Sequence, residues 1–202
     1  MKYCSHCGGD IEEKIPADDN RPRYVCTDCT TIHYQNPNIV AGTIPVFEDR
    51  ILLCRRAIEP RHGFWTLPAG FMENKETTTE AAIRETWEEA QARVEIDALY
   101  TMINVPQIDQ VHIFFRARMM DENFGAGPES LETRLFSEEQ IPWDDLAFPT
   151  VRKTLELYLD ERRKNQFGTH VTDIIRSPRH IPGHHFGQSV ENTSDKPPNK
   201  SE

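Results

Sequence analysis

The chain has no apolar run of the roughly 20 residues that a membrane-spanning helix needs, and no positively charged, then apolar leader pattern at its start. Neither a membrane span nor secretion is expected, and the chain is read as cytoplasmic. It is also short of basic residues. Lys and Arg number 23 against 33 Asp and Glu, a formal net charge of −10. Non-specific nucleic-acid binding depends on neutralising phosphates with Lys and Arg, so nucleic acid is not an expected partner. No internal repeat is visible.

Cysteine is scarce as well, with five in 202 residues, yet four of them come as Cys4-x2-Cys7 and Cys26-x2-Cys29. Two such knuckles separated by a short loop suit a structural zinc ion held by four thiolates. Gly8 and Gly9 can supply the turn after the first knuckle. Two disulfides are the competing reading, which a reducing compartment disfavours. Residues 1–36 are too few and too polar to form a core, so metal would supply most of their folding free energy. They read as a zinc ribbon. Cys54, in Ile51-Leu-Leu-Cys54, reads as a small buried hydrophobe.

What the chain has in excess is acid, and the acid is patterned. Glu85, Glu88 and Glu89 stand at i, i+3 and i+4, one face of a helix. Thr77-Thr-Thr-Glu80 reads as a capping box that starts this helix, predicted over 77–90. Ile83, Trp87 and Ala90 form an apolar stripe expected to pack inward, opposite the acids. Like charges at this spacing destabilise a helix by roughly 0.2–0.5 kcal/mol per pair, and a hard divalent cation reverses the sign. A solvated acidic face is the ordinary alternative. The loop in front, Gly70-Phe-Met-Glu-Asn-Lys-Glu76, argues for a site instead.

Together these residues resemble the Nudix signature Gly-x5-Glu-x7-Arg-Glu-U-x-Glu-Glu-x-Gly-U, with U aliphatic. Gly70, Glu76, Arg84, Glu85, Glu88 and Glu89 occupy its positions. Three positions depart: Thr86 at the first U, Gln91 at the late Gly, and Ala92 at the final U. They suggest a subfamily and a different exit from the helix. The resemblance implies an α/β/α sandwich with a mixed sheet, behind the ribbon. It implies Mg²⁺ or Mn²⁺ held by Glu85, Glu88, Glu89 and the Gly70 carbonyl. Arg84 would orient the glutamates and Glu76 would anchor the loop. Glu129 and Glu132 are candidate general bases, Glu129 being carried forward. Arg55, Trp65 and Phe148 are candidate substrate contacts.

The reaction implied is hydrolysis inside a diphosphate bridge. A zinc ribbon in front points to two groups. The NADH pyrophosphatases carry Ser-Gln-Pro-Trp-Pro-Phe-Pro after the box, and Tyr100-Thr-Met-Ile-Asn-Val-Pro-Gln107 lacks it. Bacterial relatives of the plant chloroplast FAD pyrophosphatase are the better resemblance. It runs through Arg84-Glu-Thr-Trp-Glu-Glu-Ala90, Pro128-Glu-Ser130, Leu135-Phe136, Ile141-Pro142 and Leu146-Ala-Phe148, and implies FAD, ADP-ribose or another ADP conjugate. A non-catalytic ligand sensor is the reading from another class; the intact glutamates favour the enzyme. The ribbon is read as a packing or dimerisation module, and a homodimer is expected.

Along the chain, strands are predicted over 39–47, 51–55, 99–105, 111–119 and 131–136. Residues 63–70 form a loop or strand leading into the glycine loop. A Gly/Pro-rich loop spans 123–130, a short acidic helical segment starts at Ser137, and a helix is predicted over 150–164. The domains expected are 1–36, 37–176 and a polar tail, 177–202, holding His180, His184 and His185.

Overall fold

The computed structural model describes residues 1–175; the expectations for the tail and its histidines lie outside the described residues. A small antiparallel sheet comes first, from β1 (Ile11–Lys14), β2 (Arg23–Cys26) and β3 (Ile32–His33). The Sγ atoms of Cys4, Cys7, Cys26 and Cys29 converge within 4.8 Å of one another. All four are free thiols. The Cys4–Cys29 and Cys7–Cys26 sulfurs are 3.7 and 3.5 Å apart. A zinc tetrahedron with Zn–S near 2.3 Å has edges of about 3.8 Å, so the four sulfurs fit that ion. Backbone amides of His6 and Cys29 point at the Cys4 and Cys26 sulfurs, each at 3.4 Å, an arrangement that suits metal-bound thiolates. Among the described residues, no helix is long and apolar enough to cross a membrane.

The second sheet holds β4 (Asn38–Phe47), β5 (Arg50–Arg56), β6 (Trp65–Thr66), β7 (Ala69–Phe71), β8 (Val94–Val105), β9 (Gln110–Met119), β10 (Ser130–Phe136) and β11 (His170–Asp173). Its order is β10-β5-β4-β9-β8-β11, with β6 on β5 and β7 on β4. β4–β9 and β8–β11 are parallel and the other pairs antiparallel, so the sheet is mixed. Strand alternation sends side chains to two faces. Ile44, Leu53, Tyr100 and Phe114 face helix α2 (Pro149–Lys164) and its Val151, Leu155 and Tyr158. Leu52, Cys54, Ala41 and Phe115 face helix α1 (Thr78–Ala90). Two helix layers thus enclose the sheet, and Cys54 is buried as expected.

Two elements escape the sequence pattern. β8 begins at Val94, ahead of the predicted 99, because register shifts at Ile96/Ala98 and Leu99/Thr101 break its alternation. β11 is four residues long and edge-exposed, too short to register as periodic. It is held by the Thr169 hydroxyl donating to the Leu99 carbonyl and by His170 against Glu161 at 2.9 Å.

Candidate active site

The large sheet splits into two arms where the site lies. β4 pairs with β5 only at Val46 and Phe47. Beyond that, β5 takes β6 as partner at Cys54 and Arg55, and β4 takes β7 at Val40, Ala41 and Gly42. This register sets Gly70 opposite Ala41. A Cβ at Gly70 would overlap the Glu85 carboxylate, so glycine leaves that carboxylate its place against the strand. The capping box starts α1 as expected: Thr77 Oγ1 accepts from the Glu80 amide at 3.2 Å, and Glu80 Oε2 accepts from the Thr77 amide at 2.8 Å.

The helix is turned relative to the sequence expectation. Its inner face carries Ala81, Ala82, Thr86, Glu89 and Ala90. Ile83 and Trp87, expected inside, are 39% and 49% exposed. Apart from Glu89, only small side chains fill the side of α1 against β4, and the large apolar ones that dominate the sequence pattern lie outside. Thr86, at an aliphatic position of the signature, is fully buried, and its hydroxyl shares a 2.6 Å hydrogen bond with that of Thr43 on β4. The different helix exit expected from Gln91 is not formed. Gln91 adopts the left-handed φ of 49° that glycine favours, and its amide donates to the Trp87 carbonyl at 2.8 Å.

The turn of the helix brings two acids inward. Glu89 is 7% exposed, and its Oε2 accepts from the Ala69 amide at 2.9 Å. Burial pushes its carboxyl up to about 7, with Glu85 and Glu129 adding to the shift and the Ala69 amide opposing it. Glu85 is also raised, by burial above all, against the pull of Arg84. Glu88 sits half-exposed beside them. Arg84 ties the group together. Its Nε and Nη2 reach the two Glu76 oxygens at 2.5 and 3.0 Å, and Nη1 reaches Glu85 at 2.7 Å and Glu88 at 3.0 Å. Nη2 also donates to the Phe71 carbonyl at 3.1 Å. The guanidinium holds Glu76 down at about 2. Two raised carboxyls and an exposed one beside a strand turn form an oxygen-rich pocket suited to a hard divalent ion.

The loop over 123–130 closes the C-terminal end of α1. The amides of Gly125 and Gly127 donate to the Ala90 and Glu89 carbonyls at 2.8 and 3.1 Å. A Cβ at Gly127 would overlap the Glu88 carbonyl. The loop thereby delivers Glu129, whose charge bears on both Glu85 and Glu89. Glu132 is directed elsewhere, to Arg55 at 3.8 Å.

Of the three candidate substrate contacts, Trp65 is corrected. It is buried in the core, edge-on to Phe136 at 4.9 Å between ring centroids, with its carbonyl accepting from Ala147. Arg55 anchors the neighbouring loop through the Gly63 carbonyl at 2.9 Å. Phe148 is half-buried, with the Arg56 guanidinium 5.1 Å above its ring. Arg56 was not singled out from sequence, yet its charge acts on Glu89. Strand parity could have found it: Arg56 shares the side of β5 that carries Leu52 and Cys54, which face α1.

Comparison with known proteins agrees with this geometry. Residues 2–35 match the family model described as Nudix N-terminal, a zinc ribbon, and residues 37–158 match the NUDIX domain. The crystal structure of a NUDIX hydrolase from Nitrosomonas europaea is similar with 52% identity and a TM-score of 0.84, over 86% of this chain and 99% of that one. An ADP-ribose pyrophosphatase of Methanocaldococcus jannaschii is 29% identical over 57% of this chain and 69% of its own. A NAD-capped RNA hydrolase of Vibrio atlanticus is 36% identical over 44% of this chain; the match spans only 31% of that protein.

Proposed function

The chain belongs to the Nudix hydrolase family, with the family's zinc ribbon in front, and from that premise we propose that it cleaves the diphosphate bridge of an ADP conjugate. FAD would give AMP and FMN; ADP-ribose would give AMP and ribose 5-phosphate. The observation that carries the reading is the convergence of Glu85, against Gly70 and gripped by Arg84, and of Glu89, held by the neighbouring Ala69 amide. Glu85, Glu88, Glu89 and the Gly70 carbonyl would hold Mg²⁺ or Mn²⁺. Such ions neutralise phosphate oxygens and lower the pKa of water. Arg84 fixes the carboxylates in place and touches no substrate. Glu129, exposed and next to the pair, would take the proton of the attacking water. Arg56 would meet a phosphate, and the Phe148 ring beneath it would pack on the substrate. Zinc at Cys4, Cys7, Cys26 and Cys29 would be structural. The chain is read as a homodimer.

NADH is the second reading, supported by similarity to the NAD-capped RNA hydrolases and opposed by the missing motif at Tyr100–Gln107. A panel of FAD, ADP-ribose, NADH and nucleoside triphosphates, with Mg²⁺ or Mn²⁺ and products separated by chromatography, decides. FAD or ADP-ribose with the highest kcat/KM is expected. NADH in first place would install the second reading, and a triphosphate in first place would end both.

A further inference from the structure

The four ribbon sulfurs have side-chain partners as well as backbone ones. Thr31 precedes β3 and His33 ends it. Residues two apart on an extended chain share a face, and both side chains turn to the cysteines. Thr31 Oγ1 lies 3.1 Å from the Cys29 sulfur, and His33 Nε2 lies 3.3 Å from the Cys4 sulfur. The register of β3 is fixed by pairing Tyr24 with His33 and Val25 with Ile32. The Cys26 amide also donates to the Thr31 carbonyl at 3.0 Å. The small sheet therefore holds β3 against the second knuckle and brings His33 across to the first.

A full set of thiolates carries more negative charge than one Zn²⁺ cancels, and Cys4 is buried away from water. Its excess charge has to be met by nearby N–H groups. The His6 amide is one, and the His33 imidazole is placed to be the other. A metal-bound thiolate has no proton to give, so the imidazole must be the donor, in the tautomer that carries its proton on Nε2. The four sulfurs already complete a tetrahedron, which leaves the ring outside the ligand set. We propose that His33 positions Cys4 for the metal: its Nε2–H donates to the Cys4 thiolate, and this bond sets how firmly the ribbon keeps its ion. The proposal rests on zinc at the four cysteines and adds the residue that retains it. Only residues 34–37 separate His33 from β4, so the same bond ties the metal to the end of the ribbon that leads into the second sheet.

Competition with a chromogenic chelator, on the zinc-loaded full chain, tests it. His33→Ala, shown folded by circular dichroism, is expected to raise the zinc dissociation constant roughly 10–100-fold, the usual cost of removing a partner of a metal ligand. Glutamine offers an amide N–H at a similar reach, so His33→Gln should recover most of that loss. Cobalt(II) in place of zinc gives a readout that packing alone does not move. Losing a donor raises the energy of the sulfur lone pairs. The thiolate-to-cobalt charge-transfer band of His33→Ala should therefore shift to longer wavelength, and that of His33→Gln should return toward wild type. A wild-type chain that binds neither ion overturns the zinc reading and this proposal with it. Wild-type affinity and an unmoved band in His33→Ala overturn the proposal alone. So does weakened binding that both variants share with the band unmoved, since that outcome belongs to lost packing.

Discussion

The Arg84 guanidinium holds the Glu76 carboxylate through both forks, at 2.5 and 3.0 Å, while its remaining nitrogen reaches Glu85 at 2.7 Å. One planar cation therefore ties the end of the glycine loop to the carboxylates of α1. Lysine keeps the charge and loses the fork. Arg84→Lys should lower metal affinity or kcat roughly 10–100-fold, the usual cost of disturbing groups that orient metal ligands. Kinetics against metal concentration check it; an unchanged metal dependence would contradict the role.

Thr43 and Thr86 make a second tie beneath the site. Thr86 also donates to the Ala82 carbonyl at 2.7 Å, whereas the Thr43 hydroxyl has Thr86 as its side-chain partner. Thr86→Val strands a buried hydroxyl and should cost about 1–3 kcal/mol. Thr43→Val added to it should recover much of that loss. Denaturant unfolding of both single variants and the double variant gives the coupling; strictly additive losses would show that the pair is not linked.

His112 sets a pH dependence away from the carboxylates. It is half-buried between the Gln110 amide oxygen at 2.9 Å and the Thr150 hydroxyl at 3.1 Å, and burial pulls it down to about 4. The unfolded chain protonates near 6.5, before the folded one does. The stabilisation is therefore complete above about 6.5 and is lost as pH falls toward 4, by up to about 3 kcal/mol. Wild type should lose more stability than His112→Gln between pH 7 and 4.5. Parallel slopes in denaturant melts would refute this.

The four ribbon sulfurs are placed for one ion. Elemental analysis of purified protein should find one zinc per chain. Cys4→Ser or Cys26→Ser should abolish it and raise hydrogen exchange across residues 1–36, with the second sheet protected as before. Zinc-free protein with a protected ribbon would contradict the assignment.

Much of this molecule was legible in its sequence because the signals were local. The Thr77–Glu80 box, the two Cys knuckles and the helix over 150–164 need only neighbouring residues to be read, and all three take their expected form. What was hidden depends on contacts across the fold. The rotation of α1 follows from the small residues Ala81, Ala82, Thr86 and Ala90 on its inner face, packed on strands distant in sequence. The burial of Trp65 follows from Phe136, far along the chain. That Arg56 rather than Arg55 bears on Glu89 follows from which face of β5 looks toward α1. Two register shifts erased the first half of β8 from its own alternation.

The acids gathered around Gly70 are proposed to work through a divalent ion that splits a diphosphate bridge. The most direct measurement of this is steady-state hydrolysis of ADP-ribose and FAD under Mg²⁺ titration, by wild type, Glu88→Gln and Glu89→Gln. The account predicts AMP as a product, no turnover in chelator, and kcat lower by orders of magnitude in both variants while circular dichroism stays native. Near-normal kcat in both variants, or turnover that survives removal of divalent ions, would contradict it.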